Sequence, residues 1–490
     1  CIINLFMLFK CIMLRFYACR SILSSIVKDS TMILTIKVRR GIYMNSMITE
    51  LHKKESLLDL QKLIAIPSVN TSDGTTNPPF GQEIANSLAE VLAISKSLGM
   101  ITYSDPEGFY GYADYGQGEE LVGILCHLDV VPEGDISLWE TNSFEGVVKD
   151  GVIYGRGSQD DKGPTIAALY ALKAVVDAGF TFNKRIRFIF GTDEETLWRC
   201  MDHYNLNEEA PTMGFVPDGV FPLTYAEKGL LQAKLIGPGS SEIALDCGEA
   251  SNVVPGKASY SGQDAKEIAE TLKEMETEVR LSGHKVTVNG KAVHASTAEL
   301  GINAINQLAE GLAVHYEHPL LKFLAEKVAK ETNGFSIFGE IKDELTGELT
   351  FNVGSISINE DVSEIVLDMR IPVEYTIEEI ALTLEQVASE YGLIYQEYDA
   401  VPSLYVPKDS QVVQTLFAFY RNIIGDLTEP STSGGATYAR KMTNMVAFGA
   451  HFPHSKSFAH QENEGLKLEE LYLAMDIYAE TIAQLCCEEQ

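Results

Sequence analysis

Basic residues are scarce in this sequence. Thirty-eight lysines and arginines face 69 acids in 490 residues, a formal charge of −31, and no basic stripe occurs outside the first segment. That balance argues against nucleic acid and anionic membranes as partners and leaves a small molecule or peptide. The later cysteines (Cys126, Cys200, Cys247, Cys486, Cys487) show no C-x-x-C spacing. No disulfide framework is expected from them, and a reducing, cytoplasmic setting is. Internal repeats and low-complexity tracts are also missing. No long apolar run exists either: "CIINLFMLF" at the start is followed by Lys10, Arg15 and Arg20, too many interruptions for a spanning helix.

The first 46 residues carry seven Lys or Arg against the single acid Asp29, so the remainder stands at about −37. Such a basic, acid-poor stretch has the character of a leader. Residues 1–46 are expected to be a disordered leader or extension, with the working protein starting near Met47.

What is present is a chain that is 45% hydrophobic and 22% charged, long enough for two or more domains. "SLLDLQKLIAI" has helical apolar spacing, "LVGILCHLDVV" reads as a buried strand, "PTIAALYALKAVVDAG" as a helix from Pro164 to Gly179, and "RIRFIFGT" as the next strand. Helices between apolar strands predict an α/β fold, a mostly parallel sheet covered by helices. Around residues 226–397 the pattern changes to alternating strands such as "HKVTVNGKAVHAS" and "SEIVLDMRIP", mixed with helices, which predicts an inserted α+β lid domain. The expected catalytic domain is 47–225 plus 398–490, whose last part returns to amphipathic helix around the Gly-rich "STSGGATYARK".

Polar residues at the strand ends of such a sheet are the natural place for a ligand. In "CHLDVVP", His127 and Asp129 are two apart and share a face; the pair is either a core His with a satisfied hydrogen bond or a metal ligand with its orienting carboxylate. "GRGSQDDKGP" is no phosphate loop, because Asp161 precedes Lys162 and Gly163 follows. Its Asp160 is either a helix cap or a carboxylate that bridges two metals. "GTDEET" sets Asp193, Glu194 and Glu195 side by side directly after an apolar strand. Three unpaired acids there would raise one another's pKa unless a cation neutralises them, whereas a solvated loop is the commoner fate of an acid run. Asp218 in "VPDGVFP" has the usual form of a turn former, and His460 in "FAHQENE" carries no signal alone. Together, two His and several carboxylates suit zinc, manganese or cobalt.

In that order, "HLDVVP", "GRGSQDDKGP", "GTDEET", "PDGVFP" and "HQENE" resemble the di-zinc peptidase family of carboxypeptidase G, acetylornithine deacetylase and succinyl-diaminopimelate desuccinylase, from about Met47 to the C-terminus. Within it, "YGRGSQDDKGPT", "GTDEETLWRCMDHY", "YAEKG" and "GGATYAR" are most similar to bacterial dipeptidases that include carnosinase-type (Xaa-His or β-alanyl) enzymes. The resemblance implies two divalent ions, zinc first and manganese or cobalt as alternatives. Asp160 would bridge them, His127 and Asp218 would complete one site, and Glu195 and His460 the other. Glu194 would be the general base, with Asp129 supporting it. Two metals about 3.5–4 Å apart activate water and polarise the scissile carbonyl. From the lid, His294 in "GKAVHAS" would stabilise the oxyanion. Asn252 in "SNVVPG" and Arg370 in "DMRIP" would bind substrate, Arg370 by gripping its carboxylate. Gly434 and Gly435 would present N–H groups to that carboxylate. Spacing alone would leave these as a strand His, a turn Asn, a surface Arg and a glycine loop.

The match departs from the family at Cys126, Leu197 and Ala436, each standing where Gly is common and none a ligand position. The long insertion resembles that of monomeric relatives, so a monomer is expected. The rival readings are an N-acyl amino acid deacylase of the same family and a non-catalytic metal-binding protein.

Overall fold

The computed structural model describes residues 46–488 except 249 and 426. The expected leader, 1–46, therefore lies outside the described residues but for its last. Contacts divide the chain into Cys1–Thr49 and Glu50–Gln490. In the first unit the Ser46 hydroxyl accepts the Ile48 N–H at 3.0 Å; the rest of the description concerns the second.

Its largest sheet has nine strands. Leu121–His127 lies at the centre, parallel to Arg185–Gly191 on one side and to Met213–Val216 on the other, and Met445–Ala447 continues the parallel run. Antiparallel strands flank this centre: Ile101–Ser104 and Gly111–Gly116 beyond Arg185–Gly191, and Thr224–Glu227 with Leu404–Tyr405 on the other side. The sheet is mixed, with parallel pairing where the chain reads as continuous apolar runs. All seven residues of Leu121–His127 are buried, as a strand covered on both faces requires. The helices Lys162–Asp177 and Leu468–Cys486 pack against each other. The first begins two residues before Pro164, with Asp161 as its N-cap residue.

A second, five-stranded antiparallel sheet runs in the order Leu245–Cys247, Thr350–Ile358, Val362–Ile371, Gly229–Pro238, Ile394–Val401. With helices such as Ala304–His315 and Ile377–Glu390 it encloses its own apolar core. The Ile377–Glu390 helix starts with a capping box between Thr376 and Glu379.

Strand membership shifts the edges of the insertion. Thr224–Glu227 belongs to the large sheet and Gly229–Pro238 to the lid sheet, while Ile394–Val401 returns to the lid sheet before Leu404–Tyr405 rejoins the large one. The chain crosses near 228 and 402–403. The crossings read Glu227-Lys228-Gly229 and Pro402-Ser403, short breaks that do not say which sheet the next strand joins.

Candidate active site

Parallel register brings the motifs to one edge. His127 and Gly191 are partners at the ends of neighbouring strands, and Met213–Val216 ends two residues before Asp218. The loop before Lys162–Asp177 adds Asp160, and the segment before Gly465–Lys467 adds His460.

Asp160 stands between two imidazoles. One of its oxygens is 2.8 Å from His127 Nε2 and the other 3.1 Å from His460 Nε2. Asp218 lies 3.8 Å from His127 Nε2, and Glu195 lies 3.1 Å from His460 Nε2. Donor atoms of His127, Asp160 and Asp218 lie within 4.8 Å of one another, and so do those of Asp160, Glu195 and His460.

Hydrogen bonding gives a test of what these atoms suit. His127 Nδ1 is 3.0 Å from the Asp129 carbonyl oxygen. A carbonyl only accepts, so Nδ1 carries the proton and a neutral ring turns the Nε2 lone pair toward an Asp160 oxygen. Two lone pairs at that distance repel unless a proton or a metal ion lies between them. Four carboxylates (Asp160, Glu194, Glu195, Asp218) here face two imidazoles. Burial, then the neighbouring acids, pushes the Asp218 carboxyl well up; for Glu194 burial and those acids outweigh the opposing His127 charge. Burial opposes protonation of His460, yet its bonds to Asp160 and Glu195 push it up to about 11. The donor set and its excess negative charge fit divalent cations.

The acid run divides by partner. Asp193 is fully buried and paired with Arg199, whose Nε and Nη2 donate to its oxygens at 2.7 and 2.8 Å. It is therefore not one of three unpaired acids, and the partner six residues on was not evident from spacing. Glu194 and Glu195 turn to the cleft, and Glu194 Oε1 is buried without a hydrogen-bond partner.

Asp129 supports the site differently from the expected carboxylate contact to His127. Its carbonyl takes the Nδ1 proton, its nearer carboxylate oxygen is 3.6 Å from Nδ1, and its Oδ2 accepts the Glu195 N–H at 2.9 Å. It thus fixes the ring and the acid segment together. Asp160 is not the helix cap; its neighbour Asp161 holds that position and accepts from the His127 N–H and Thr165 Oγ1.

Two supports were missed in the sequence. Glu464, the last acid of "HQENE", is buried with Arg156 of "GRG", 2.7 Å away, and accepts the N–H groups of Gly157, Gln159 and Asp160. Glu227 and Arg440 form a second buried pair at 2.8 Å. Arg440 also donates to the carbonyls of Gly435 and Pro402, and Glu227 accepts from Thr437. The signals were an Arg and a Glu inside motifs already noted, but nothing in spacing joins residues 308 and 213 positions apart.

A cleft of about 950 Å³ has Glu194, Glu195 and His460 on one wall and Asn252, His294 and Arg370 on the other. Leu197 and Ala436 also line it, whereas Cys126 is buried in its strand. The buried Asn352 side chain donates to the Ser251 and Val253 carbonyls and so fixes the backbone on either side of Asn252. His294 Nδ1 accepts the Ser296 N–H at 3.2 Å, which leaves Nε2–H as the donor of the neutral ring. Desolvation, then the Arg370 charge, holds this imidazole below its ordinary value. Arg370 is aligned by Asp368, to which its Nε and Nη2 donate at 2.7 and 3.1 Å, and its Nη1 donates to the Gly434 carbonyl at 3.2 Å. The Gly435 N–H donates to Ser433 Oγ at 2.9 Å, a bond that must be exchanged before it can serve a ligand.

Residues 123–484 match the model of peptidase family M20/M25/M40. Proteins of Bacillus subtilis (strain 168) and Staphylococcus aureus (strain USA300), both named "putative dipeptidase", are each 35% identical to this chain. The alignments cover 90% and 89% of it and 100% and 98% of them. In fold the chain is similar to an M20 family metallo-carboxypeptidase from Sulfolobus solfataricus (TM-score 0.58, 20% identity, 88% of this chain and 98% of that one). It is likewise similar to human carnosine dipeptidase 1 (TM-score 0.55, 15% identity, 89% and 98%).

Proposed function

From a chain that belongs to peptidase family M20/M25/M40, we propose a metal-dependent dipeptidase. The observation that carries the proposal is Asp160, whose two oxygens face His127 and His460 while Glu194 lies beside them with a buried oxygen free. His127, Asp160 and Asp218 would hold one divalent ion, and Asp160, Glu195 and His460 the other, with zinc the leading candidate. When bound, the pair polarises the scissile carbonyl and acidifies the attacking water.

The chain's own groups perform the rest. Arg370 binds the free carboxylate of a short peptide through the Nη1–Nη2 edge of its guanidinium, where the Nη1 bond to the Gly434 carbonyl is shared with or exchanged for the substrate, with Asn252 beside it. Glu194 accepts a proton from the attacking water and passes it to the leaving amine as the C–N bond breaks. His294 Nε2–H donates to the oxyanion that develops on the former carbonyl oxygen. Because His294, Asn252 and Arg370 come from the same chain as Glu194, the cleft is furnished without a second copy, which supports a monomer. The substrates are dipeptides, Xaa-His and β-alanyl compounds among them, and the setting is the cytoplasm. Among the described residues no helix is long and apolar enough to cross a membrane.

The test is hydrolysis of a dipeptide panel, including β-alanyl-histidine, beside matched N-acetyl amino acids, by chelator-stripped protein with zinc, manganese or cobalt restored. Metal-dependent dipeptide cleavage is expected. Turnover of the acylated compounds alone would make the protein a deacylase.

A further inference from the structure

The lid wall of the cleft carries a carboxylate that the proposed reaction does not use. Asp399 lies on Ile394–Val401, next to Gly229–Pro238, which in turn pairs with the strand that bears Arg370. The register sets two rows across the sheet. One is Arg370, Leu230 and Val401; the other is Asp368, Gln232 and Asp399. Residues two apart on a strand share a face, and Arg370, Leu230, Gln232, Val401 and Asp399 all line the cleft.

A bulge beyond Asp399 adds one more residue to this face. The register slips between Gln232 and Ala233, which pair with Asp399 and Glu397, so Tyr398 is the extra residue. Tyr398 and Asp399 then both line the cleft, although consecutive strand residues ordinarily face opposite ways.

Asp399 also lacks a cation. Among the described residues none pairs with it. Lys441, the cation that acts on it, gives its ammonium to Asp202 at 2.6 Å, and Arg370 stands two strands away, aligned by Asp368. Desolvation pushes the Asp399 carboxyl up, and the Asp368 and Glu397 charges add to this. An acid held partly out of water beside other acids is stabilised by an arriving positive charge.

Resting on the dipeptidase reading, we propose that Asp399 selects a substrate whose carboxyl-terminal residue has a cationic side chain, lysine or arginine. Once Arg370 holds the α-carboxylate, the side chain on the same α-carbon extends along the lid sheet. Asp399 is two strands over and two residues along from Arg370, about 12 Å between α-carbons by strand spacing and rise. Two side chains and a lysine-length stem span that gap. Leu230 and Val401 lie between them as an apolar floor for the methylenes.

The test compares kcat/KM for Ala-Lys, Ala-Arg, Ala-Leu, Ala-Glu and Lys-Ala, using the metal-loaded full chain and the variants Asp399→Asn and Asp399→Lys. Wild type should favour Ala-Lys and Ala-Arg over Ala-Leu by about tenfold. Asp399→Asn should erase most of that ratio, and Asp399→Lys should shift preference toward Ala-Glu. Dipeptide turnover with no cationic preference, or a ratio unchanged in Asp399→Asn because all substrates fall together, would overturn the inference and leave the dipeptidase reading standing. Failure to cleave any dipeptide would overturn both.

Discussion

Glu464 and Arg156 form an ion pair 2.7 Å apart with almost no solvent exposure on either side, and the same carboxylate accepts three backbone N–H groups of the loop that ends at Asp160. The acid works at a distance, holding the loop from which Asp160 reaches both imidazoles. Replacing Glu464 with Ala strands a buried guanidinium and should cost about 3–5 kcal/mol of stability. It should also lower metal affinity. Urea denaturation and metal titration of the same preparation check both effects.

Glu194→Gln removes the base but none of the proposed ligands. Hydrolysis should fall by about 10²–10⁴-fold, with metal content per chain, read by elemental analysis, retained. Wild-type turnover in this variant would remove Glu194 from the mechanism.

His460 and Asp218 belong to different triads that share only Asp160. His460→Ala and Asp218→Ala should each reduce bound metal from about two ions to about one. Asp160→Ala should reduce it further than either. Equal loss in all three would mean that the triads do not fill separately.

Arg370→Lys keeps the charge and loses the fork. Binding of the substrate carboxylate is made alike in ground and transition states, so KM should rise much more than kcat falls, with a loss in kcat/KM of about 1.5–3 kcal/mol for the charged hydrogen bond given up. Dipeptide amides, which lack the carboxylate, should be poor substrates of wild type and should distinguish the two proteins little.

In the lid, His318 Nε2–H donates to the Pro238 carbonyl at 3.1 Å, and its Nδ1 is buried without a partner. Burial holds this imidazole below its ordinary value. The folded pKa lies under the unfolded one, about 6.5, so stability from the neutral ring is complete above that value and is lost as pH falls toward the folded pKa. His318→Gln should remove this component. Plots of Tm against pH for the two proteins should stand apart above about pH 6.5 and draw together as pH falls below it.

The large sheet could be read because its central strands are buried on both faces and so appear as unbroken apolar runs. The strand ends could be read because they carry the acids and imidazoles. Partnership was harder. Arg199 takes Asp193 out of the acid run, and the carbonyl of Asp129, rather than its carboxylate, is the nearer acceptor of the His127 proton. Contacts of this kind depend on how loops fold over the sheet edge, and no periodicity encodes them. The lid crossings fall near 228 and 402–403 rather than at 226 and 397 for a related reason, since the sheet a strand joins is decided by its pairing partner and not by its own pattern.

The buried Arg440 touches the chain on both sides of the lid, Glu227 just before the first crossing and Pro402 at the second, and donates to the Gly435 carbonyl as well. Mechanically, the lid is attached by a pinned joint rather than a free swivel. Rotation at either crossing must carry the glycine loop with it or pull a buried guanidinium away from its partners. The same pin therefore limits how widely the cleft can gape and keeps the loop opposite Arg370 in step with the lid that carries it.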